Sequence, residues 1–266
     1  MDESLFVRLS STTPDAIMPL QLQYRMCGPI NELANKLTYA GKLQCGSDII
    51  ERATLSASLE NEVPRPFGNQ SWLLSVIRPN LLQAVVFMDT KLLNVSIRSS
   101  VIDQCSKSPF NKCEGAITSM VVKALHVCGV SLNSIGVIAP NQSQVKYLKH
   151  VINDELSNVE INTVDQYQGR DKDVVLYSCT RSESNESEDP SRMENLGSNT
   201  ILHDLRRLTV AVTRAKYKLV IIGDSQTLTK FPPFSKLLSS LEPHQLYEVC
   251  EGKDGFYSKN LVETSR

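Results

Sequence analysis

Asn162-Thr163-Val164-Asp165-Gln166-Tyr167-Gln168-Gly169-Arg170-Asp171 is the stretch that decides the fold of this 266-residue chain. Residues 159–163 alternate in the manner of a strand. A polar turn stops that strand abruptly, and Val174-Val175-Leu176-Tyr177 starts another. Polar groups just past a strand's carboxyl end are where open α/β sheets bind ligands. Gly169 allows a tight turn and close backbone approach.

On either side the same pattern repeats. Asn111-Lys112-Cys113-Glu114 has the spacing of a capping box, and Ile117, Met120, Val121, Ala124, Leu125 and Cys128 then share one helical face up to Gly129. Residues 84–88, 135–139, 174–179 and 219–223 read as buried strands, and 142–156 as an amphipathic helix. A strand at 20–23, a helix over 29–37 and a short helix over 235–241 complete the regular elements. Residues 4–10 read as the end of a helix. Residues 46–80 and 90–110 read as irregular, 182–200 as an acidic Ser/Asn-rich loop, and the tail from Gly252 as frayed. Strands alternating with helices predict an α/β fold: a doubly wound, mostly parallel sheet with helices on both faces.

In such a sheet three strand ends should share one crevice. They carry Tyr24 and Arg25, then Pro140, Asn141 and Gln142, then Asp165, Gln168 and Gly169. The helix beginning at Gln142 adds N–H groups suited to a phosphate. A second helix, residues 205–215, carries three arginines. Arg207, Ala211 and Arg214 are spaced to share a face, with Leu205, Leu208, Val212 and Ala215 on another. Ala211 is small enough to let a ligand approach between the two arginines. Guanidinium groups suit phosphate oxygens. Singly, each feature has a plain structural reading: a half-buried Tyr–Arg pair, a solvated Arg206-Arg207 face, an ordinary glycine turn. Lys149, Lys216 and Lys218 read as surface. Order and spacing together argue for more.

Composition sets limits. The formal net charge is -1 and 41% of residues are hydrophobic. That is enough for a sizeable core, and any phosphate contacts must come from local groups rather than a basic surface. Seven cysteines occur without a C-x-x-C. Zinc, an iron–sulfur cluster and a disulfide framework are therefore unsupported, and a reducing compartment fits. No apolar run is long enough to cross a bilayer.

Gln23-Tyr24-Arg25-Met26, the 162–171 stretch and Leu205-Arg206-Arg207-Leu208-Thr209-Val210-Ala211-Val212-Thr213-Arg214 occur in the order of motifs IV, V and VI of the superfamily-1 helicases. The chain resembles the second RecA-like domain of that superfamily, which includes the nonsense-mediated-decay RNA helicase group. Asn35-Lys36-Leu37-Thr38-Tyr39, Gly41-Lys42-Leu43 and Cys45-Gly46-Ser47-Asp48 point more closely to the replication and repair helicase/nuclease branch, 5′-to-3′ DNA translocases fused to an upstream nuclease. The resemblance implies an ATP site shared with a first RecA-like domain, which would hold Mg²⁺. It implies Arg25 and Arg214 as arginine fingers on the γ-phosphate, Tyr24 by the adenine, Asp171 by the ribose and Gly169 at the nucleotide edge. Thr163, with the Pro140-Asn141 turn, would contact single-stranded DNA. Asn141, Thr209 and Asp171 depart from the common tyrosine, asparagine and glutamate.

By the same resemblance, residues 1–19 would be the end of a linker helix, 20–241 the second RecA-like domain and 242–266 a C-terminal tail. No G-x-x-x-x-G-K-[ST] occurs in the sequence. The expectation is a fragment with half an ATP site, missing its first RecA-like and nuclease domains and inactive alone. Placement would be nuclear, with mitochondrial or cytoplasmic placement as alternatives. An RNA helicase domain and a non-catalytic nucleic-acid-binding module remain the competing readings.

Overall fold

The computed structural model describes residues 5–56, 71–152, 156–183, 201–252 and 255–260. In chain order its elements begin with α1 (Leu5–Thr12), β1 (Leu22–Gln23), α2 (Gly28–Ala34), β2 (Gln44–Cys45), α3 (Asp48–Glu51), α4 (Ser71–Ile77) and β3 (Val85–Asp89). Next come α5 (Val95–Arg98), β4 (Val101–Ile102), β5 (Pro109–Phe110), α6 (Lys112–Val127), β6 (Ile135–Ala139), α7 (Gln142–Val151), β7 (Glu160–Thr163) and β8 (Lys172–Ser178). The last are α8 (Leu205–Val212), β9 (Ala215–Gly223), α9 (Ser225–Leu228), α10 (Pro232–Ser239), β10 (Leu246–Gly252) and β11 (Gly255–Asn260).

Seven strands form the central sheet in the order β11-β10-β3-β9-β8-β6-β7. Every pairing is parallel except β10 with β11. Strands β3, β6, β8 and β9 carry continuous apolar runs because both faces are covered. Val86, Met88, Val220 and Ile222 pack on one side with residues of α4, α6 and α7. Val85, Phe87, Leu219 and Ile221 pack on the other with residues of α2, α8 and α10. Alternate residues of one strand thus feed two cores, and the expected α/β sheet with helices on both faces is present. Lys218 interrupts this apolar strand. It is buried, donates to the carbonyls of Arg78 and Gln83 at 3.1 and 2.6 Å, and burial pushes its pKa down to about 7.

Several expectations are corrected. The strand at 20–23 lies outside the central sheet: β1 pairs only with β2, in a separate two-stranded sheet. Residues 46–80 hold α3 and α4, and 90–110 hold α5 and the β4–β5 hairpin. Two-residue strands and the one-turn helices α3 and α5 carry no period that a sequence could display, and the seven residues of α4 show barely two turns of one. The segment beyond residue 241 supplies β10 and β11. Tyr247 and Val249 are buried, and the alternating polar residues gave β10 the look of a tail. Of the acidic loop, residues 184–200 lie outside the described residues, as do 153–155 of the helix expected over 142–156.

The capping box is half realised. Asn111 Oδ1 accepts from the Glu114 N–H at 3.0 Å. Glu114 does not reach back; its carboxyl turns inward to Ser178 Oγ at 2.6 Å and the Thr180 N–H at 2.8 Å. All seven cysteines are free, and Cys27, Cys113, Cys128 and Cys179 are core residues as expected. Among the described residues no helix is long and apolar enough to cross a membrane.

Candidate functional site at two edges of the sheet

The expected site residues divide between opposite edges of the sheet, not one crevice. The reason is the link from β7 to β8. Thr163 stands level with Ala139 at the carboxyl end of β6, whereas Val174 stands level with Ile135 at its amino end. Residues 164–171 therefore cross the height of the sheet. Tyr167 is buried under this crossing and donates its hydroxyl to the Glu160 carbonyl at 3.0 Å. Gly169, with φ +84, turns the chain into β8, so Gly169 and Asp171 stand at the amino edge.

The amino edge gathers five of the expected residues: Tyr24, Arg25, Gly169, Asp171 and Arg214. Gln23 builds the turn that holds Tyr24 and Arg25. Its Oε1 accepts from the N–H groups of Arg25 and Met26 at 2.8 and 2.7 Å, and its Nε2 donates to the Met26 carbonyl at 2.8 Å. The Cys27 N–H then donates to the Lys216 carbonyl at 2.8 Å and fastens this turn to the start of β9. Tyr24 is 68% exposed, with its ring lying over Gly46, where an added Cβ would collide with it.

Arg25 Nη1 donates to the Thr213 carbonyl at 3.3 Å, at the end of α8. Arg214 follows at once. It donates through Nε to the Val210 carbonyl at 3.0 Å, through Nη1 to the Arg170 carbonyl at 3.2 Å and through Nη2 to Thr213 Oγ1 at 3.0 Å. Burial, and then repulsion from the Arg25 guanidinium, push the Arg214 pKa down. Two cations held together by neutral carbonyls are a place that favours an anion. The residues present therefore fit a bound phosphate.

Asp171 completes the group, with a partner that sequence reasoning had left on the surface. Lys216 Nζ lies 2.8 Å from Asp171 Oδ2. The hydrogen bond from Lys216, with the charges of Lys216, Arg25 and Arg214, holds the Asp171 carboxyl below its usual range. Lys216 sits two residues past Arg214 on β9, and that spacing was the available signal.

Arg207 is not part of this group. It pairs with Asp165 at 3.0 Å, and Ala211 is fully buried, so no ligand passes between Arg207 and Arg214. Helix α8 ends at Val212, and Arg214 has already left the helical path. Of the face expected to pack, Leu208 and Val212 are buried on α8, Ala215 is buried at the start of β9, and Leu205 is half-buried. Thr209 bonds to Thr38 Oγ1 at 2.5 Å and to the Leu205 carbonyl, joining α8 to the turn at 35–39.

The carboxyl edge holds Pro140, Asn141 and Thr163. Pro140 and Thr163 are buried. Asn141 caps α7, accepting from the Gln144 N–H at 3.0 Å, which is work a tyrosine could not do. The accessible groups are Gln142 and Gln166, whose side chains meet at 3.3 Å, with Gln166 Oε1 also 3.5 Å from the Thr163 N–H. Behind this rim lies a buried polar network. Arg98 pairs with Asp224, which also accepts from Ser182 and Thr227 at 2.7 and 2.8 Å. Burial pushes the Glu114 pKa up to about 8. Among the described residues, no cluster of side chains could hold a metal ion.

Residues 1–226 match the family model described as the AAA domain. The chain is 37% identical over 257 residues to the human DNA replication ATP-dependent helicase/nuclease DNA2, covering 92% of this chain and 22% of that protein. It is 38% identical over 242 residues to the Arabidopsis thaliana DNA replication ATP-dependent helicase/nuclease JHS1, covering 91% and 16%. It is 33% identical over 273 residues to the Saccharomyces cerevisiae DNA2 protein, covering 100% and 17%. The chain thus spans about a fifth of the length of these relatives.

Proposed function

Because this chain belongs to the AAA domain family over residues 1–226, we propose that it is the C-terminal motor domain of an ATP-dependent 5′-to-3′ DNA helicase. The helicase would be of the helicase/nuclease type named in its relatives. The observation that carries the proposal is the convergence of Arg25, Arg214, Asp171 and Lys216 at the amino edge. In this reading ATP supplies a phosphoryl group at an interface with a first RecA-like domain, which holds Mg²⁺. Arg25 and Arg214 aim their guanidinium groups at the γ-phosphate, where charge develops during transfer. Asp171 takes the ribose, Tyr24 lies by the adenine and Gly169 lines the nucleotide edge. Thr163, with Pro140 and Asn141, shapes the carboxyl edge that single-stranded DNA follows. The protein would act in DNA replication and repair in the nucleus.

Without a P-loop lysine or its metal-holding hydroxyl, this chain by itself would hydrolyse no ATP above background. The test joins it to a first motor domain carrying a P-loop, such as that of the human relative. Single-strand-stimulated ATPase is expected from the joined protein and none from the chain alone. Robust turnover by the chain alone, abolished by Arg214→Ala, would overturn the division of labour. No turnover by a folded joined protein would overturn the motor reading.

A further inference from the structure

The β4–β5 hairpin lies across the carboxyl edge and belongs to neither group of residues above. Its stem is fixed by Arg98 on buried Asp224 and by Ser100, whose N–H and Oγ both donate to the Ser182 carbonyl at 3.0 and 2.7 Å. On its far side the Asn111 N–H donates to Gln144 Oε1 at 2.7 Å, and Asn111 Nδ2 to the Arg98 carbonyl at 2.8 Å. At the tip, Ser106 Oγ bonds to Asp103 Oδ2 and to Ser143 Oγ, each at 2.6 Å. Phe110 packs on Tyr147 with ring centroids 5.3 Å apart. Ser143 and Gln144 belong to the first turn of α7, the turn whose Gln142 touches Gln166 beside Thr163. Hairpin and rim therefore form one continuous surface.

That surface has a chemistry unlike the rest of the edge. Val101 and Ile102 are each 43% exposed, whereas the aliphatics of the central strands β3, β6, β8 and β9 are buried. Lys107, in the turn between β4 and β5, and Lys112, at the start of α6, are exposed, and neither forms an ion pair among the described residues. The nearby Asp103 carboxylate is occupied by Ser106, Ser143 and the Cys105 N–H, and these hydrogen bonds hold it below its usual range. Two aliphatic side chains are far too small an area for a stable protein interface, which takes roughly 1,000 Å² or more. As consecutive residues of a strand they point to opposite faces of the stem, so each offers an aliphatic group to a different base, with exposed cations nearby in the sequence for the backbone.

We propose that the 99–111 hairpin is a second contact for single-stranded nucleic acid, with Val101 and Ile102 against the bases and Lys107 and Lys112 on phosphates. The proposal rests on the nucleic-acid reading of the carboxyl edge. It predicts a track that runs from the Thr163 rim over α7's first turn onto the hairpin. Base recognition would be tolerant, since an aliphatic face reads no hydrogen-bond pattern.

The test is fluorescence anisotropy of a labelled twelve-nucleotide oligo-dT with the 266-residue chain at several salt concentrations. The double variant V101S/I102S, changed only at exposed positions, should bind roughly 10-fold more weakly with an unchanged salt slope. Lys107→Ala should make the slope of log K against log salt shallower by about 0.7, the value for one phosphate on a single strand. Arg206→Ala, exposed on α8 and outside both groups of site residues, should bind as the parent does. If the parent binds and the hairpin variants bind equally well, the hairpin proposal fails and the reading of the edge stands. If the folded parent binds no oligonucleotide at low salt, the nucleic-acid reading fails and takes the hairpin with it.

Discussion

At the amino edge Arg25, Arg214, Asp171 and Lys216 stay partly exposed, and their cations lean on backbone carbonyls or on one another's partners. At the carboxyl edge Arg98, Asp224 and Glu114 are 4%, 0% and 0% exposed, and each is spent on groups of the protein itself. The difference teaches how to separate ligand chemistry from architecture in one sheet. Buried charges must be satisfied internally or cost several kcal/mol. Half-exposed cations that outnumber the single Asp171 carboxylate beside them leave room for an anion from outside.

The comparison breaks first at Arg214. In the joined protein, Arg214→Ala should lower kcat by about 10³, and Arg25→Ala should do the same, with ATP affinity less affected. Steady-state ATPase assays would show it. Gln166→Ala at the carboxyl edge should leave kcat at saturating DNA unchanged. Equal losses at both edges would erase the distinction.

The carboxyl edge should answer in stability. Arg98→Ala strands the buried Asp224 carboxylate and should cost about 3–5 kcal/mol, read by urea unfolding of the chain. Arg214→Ala should cost far less in the same assay.

Glu114 sharpens this further through pH. Its folded pKa of about 8 lies above the ordinary 4.5, so the protonated carboxyl is the form the fold prefers. That contribution is complete below pH 4.5 and is lost as pH rises toward 8. Lys218, with a folded pKa of about 7 against 10.5, adds no slope below pH 7 and raises stability only above it. Between pH 5 and 7 the parent should lose Tm, and Glu114→Gln should flatten that loss, gaining ~5 °C over the parent at pH 7. A parallel fall in both proteins would mean that Glu114 is ionised in the fold.

The smallest effects belong to exposed positions. Lys216→Ala removes an ion pair a third exposed on both sides, so Tm should hardly move. The apparent KM for ATP in the joined protein should rise ~3-fold with kcat unchanged, because Asp171 loses its fixed orientation. Arg206→Ala should change neither.

The strands and their cover were legible because each buried strand is an apolar run bounded by turn residues. Arg25, Arg214 and Asp171 were legible as a set because their order along the chain resembles a motif order. Their common edge was not. Nothing in 164–171 says that so short a segment crosses the sheet, and a turn placed after a strand reads as local. The capping role of Asn141 and the burial of Ala211 were hidden for a related reason. Whether an asparagine caps a helix or an alanine faces a ligand depends on the path of the neighbouring backbone. Lys216 carried only its spacing from Arg214 as a signal, and its role became visible where Asp171 is brought beside it.

That crossing has a mechanical side. Six residue levels separate Thr163 from Lys172 along the sheet, a span of about 20 Å at strand rise. One short 3-10 turn, 165–167, takes up much of the intervening chain, and the Tyr167 hydroxyl is pinned to the Glu160 carbonyl. With the turn and the Tyr167 anchor in place, a displacement of Thr163 at one end would be met by rotation about Tyr167 or by movement of Gly169 at the other. Covalent bonds transmit such a movement without fading with distance, as a chain of packed side chains would not.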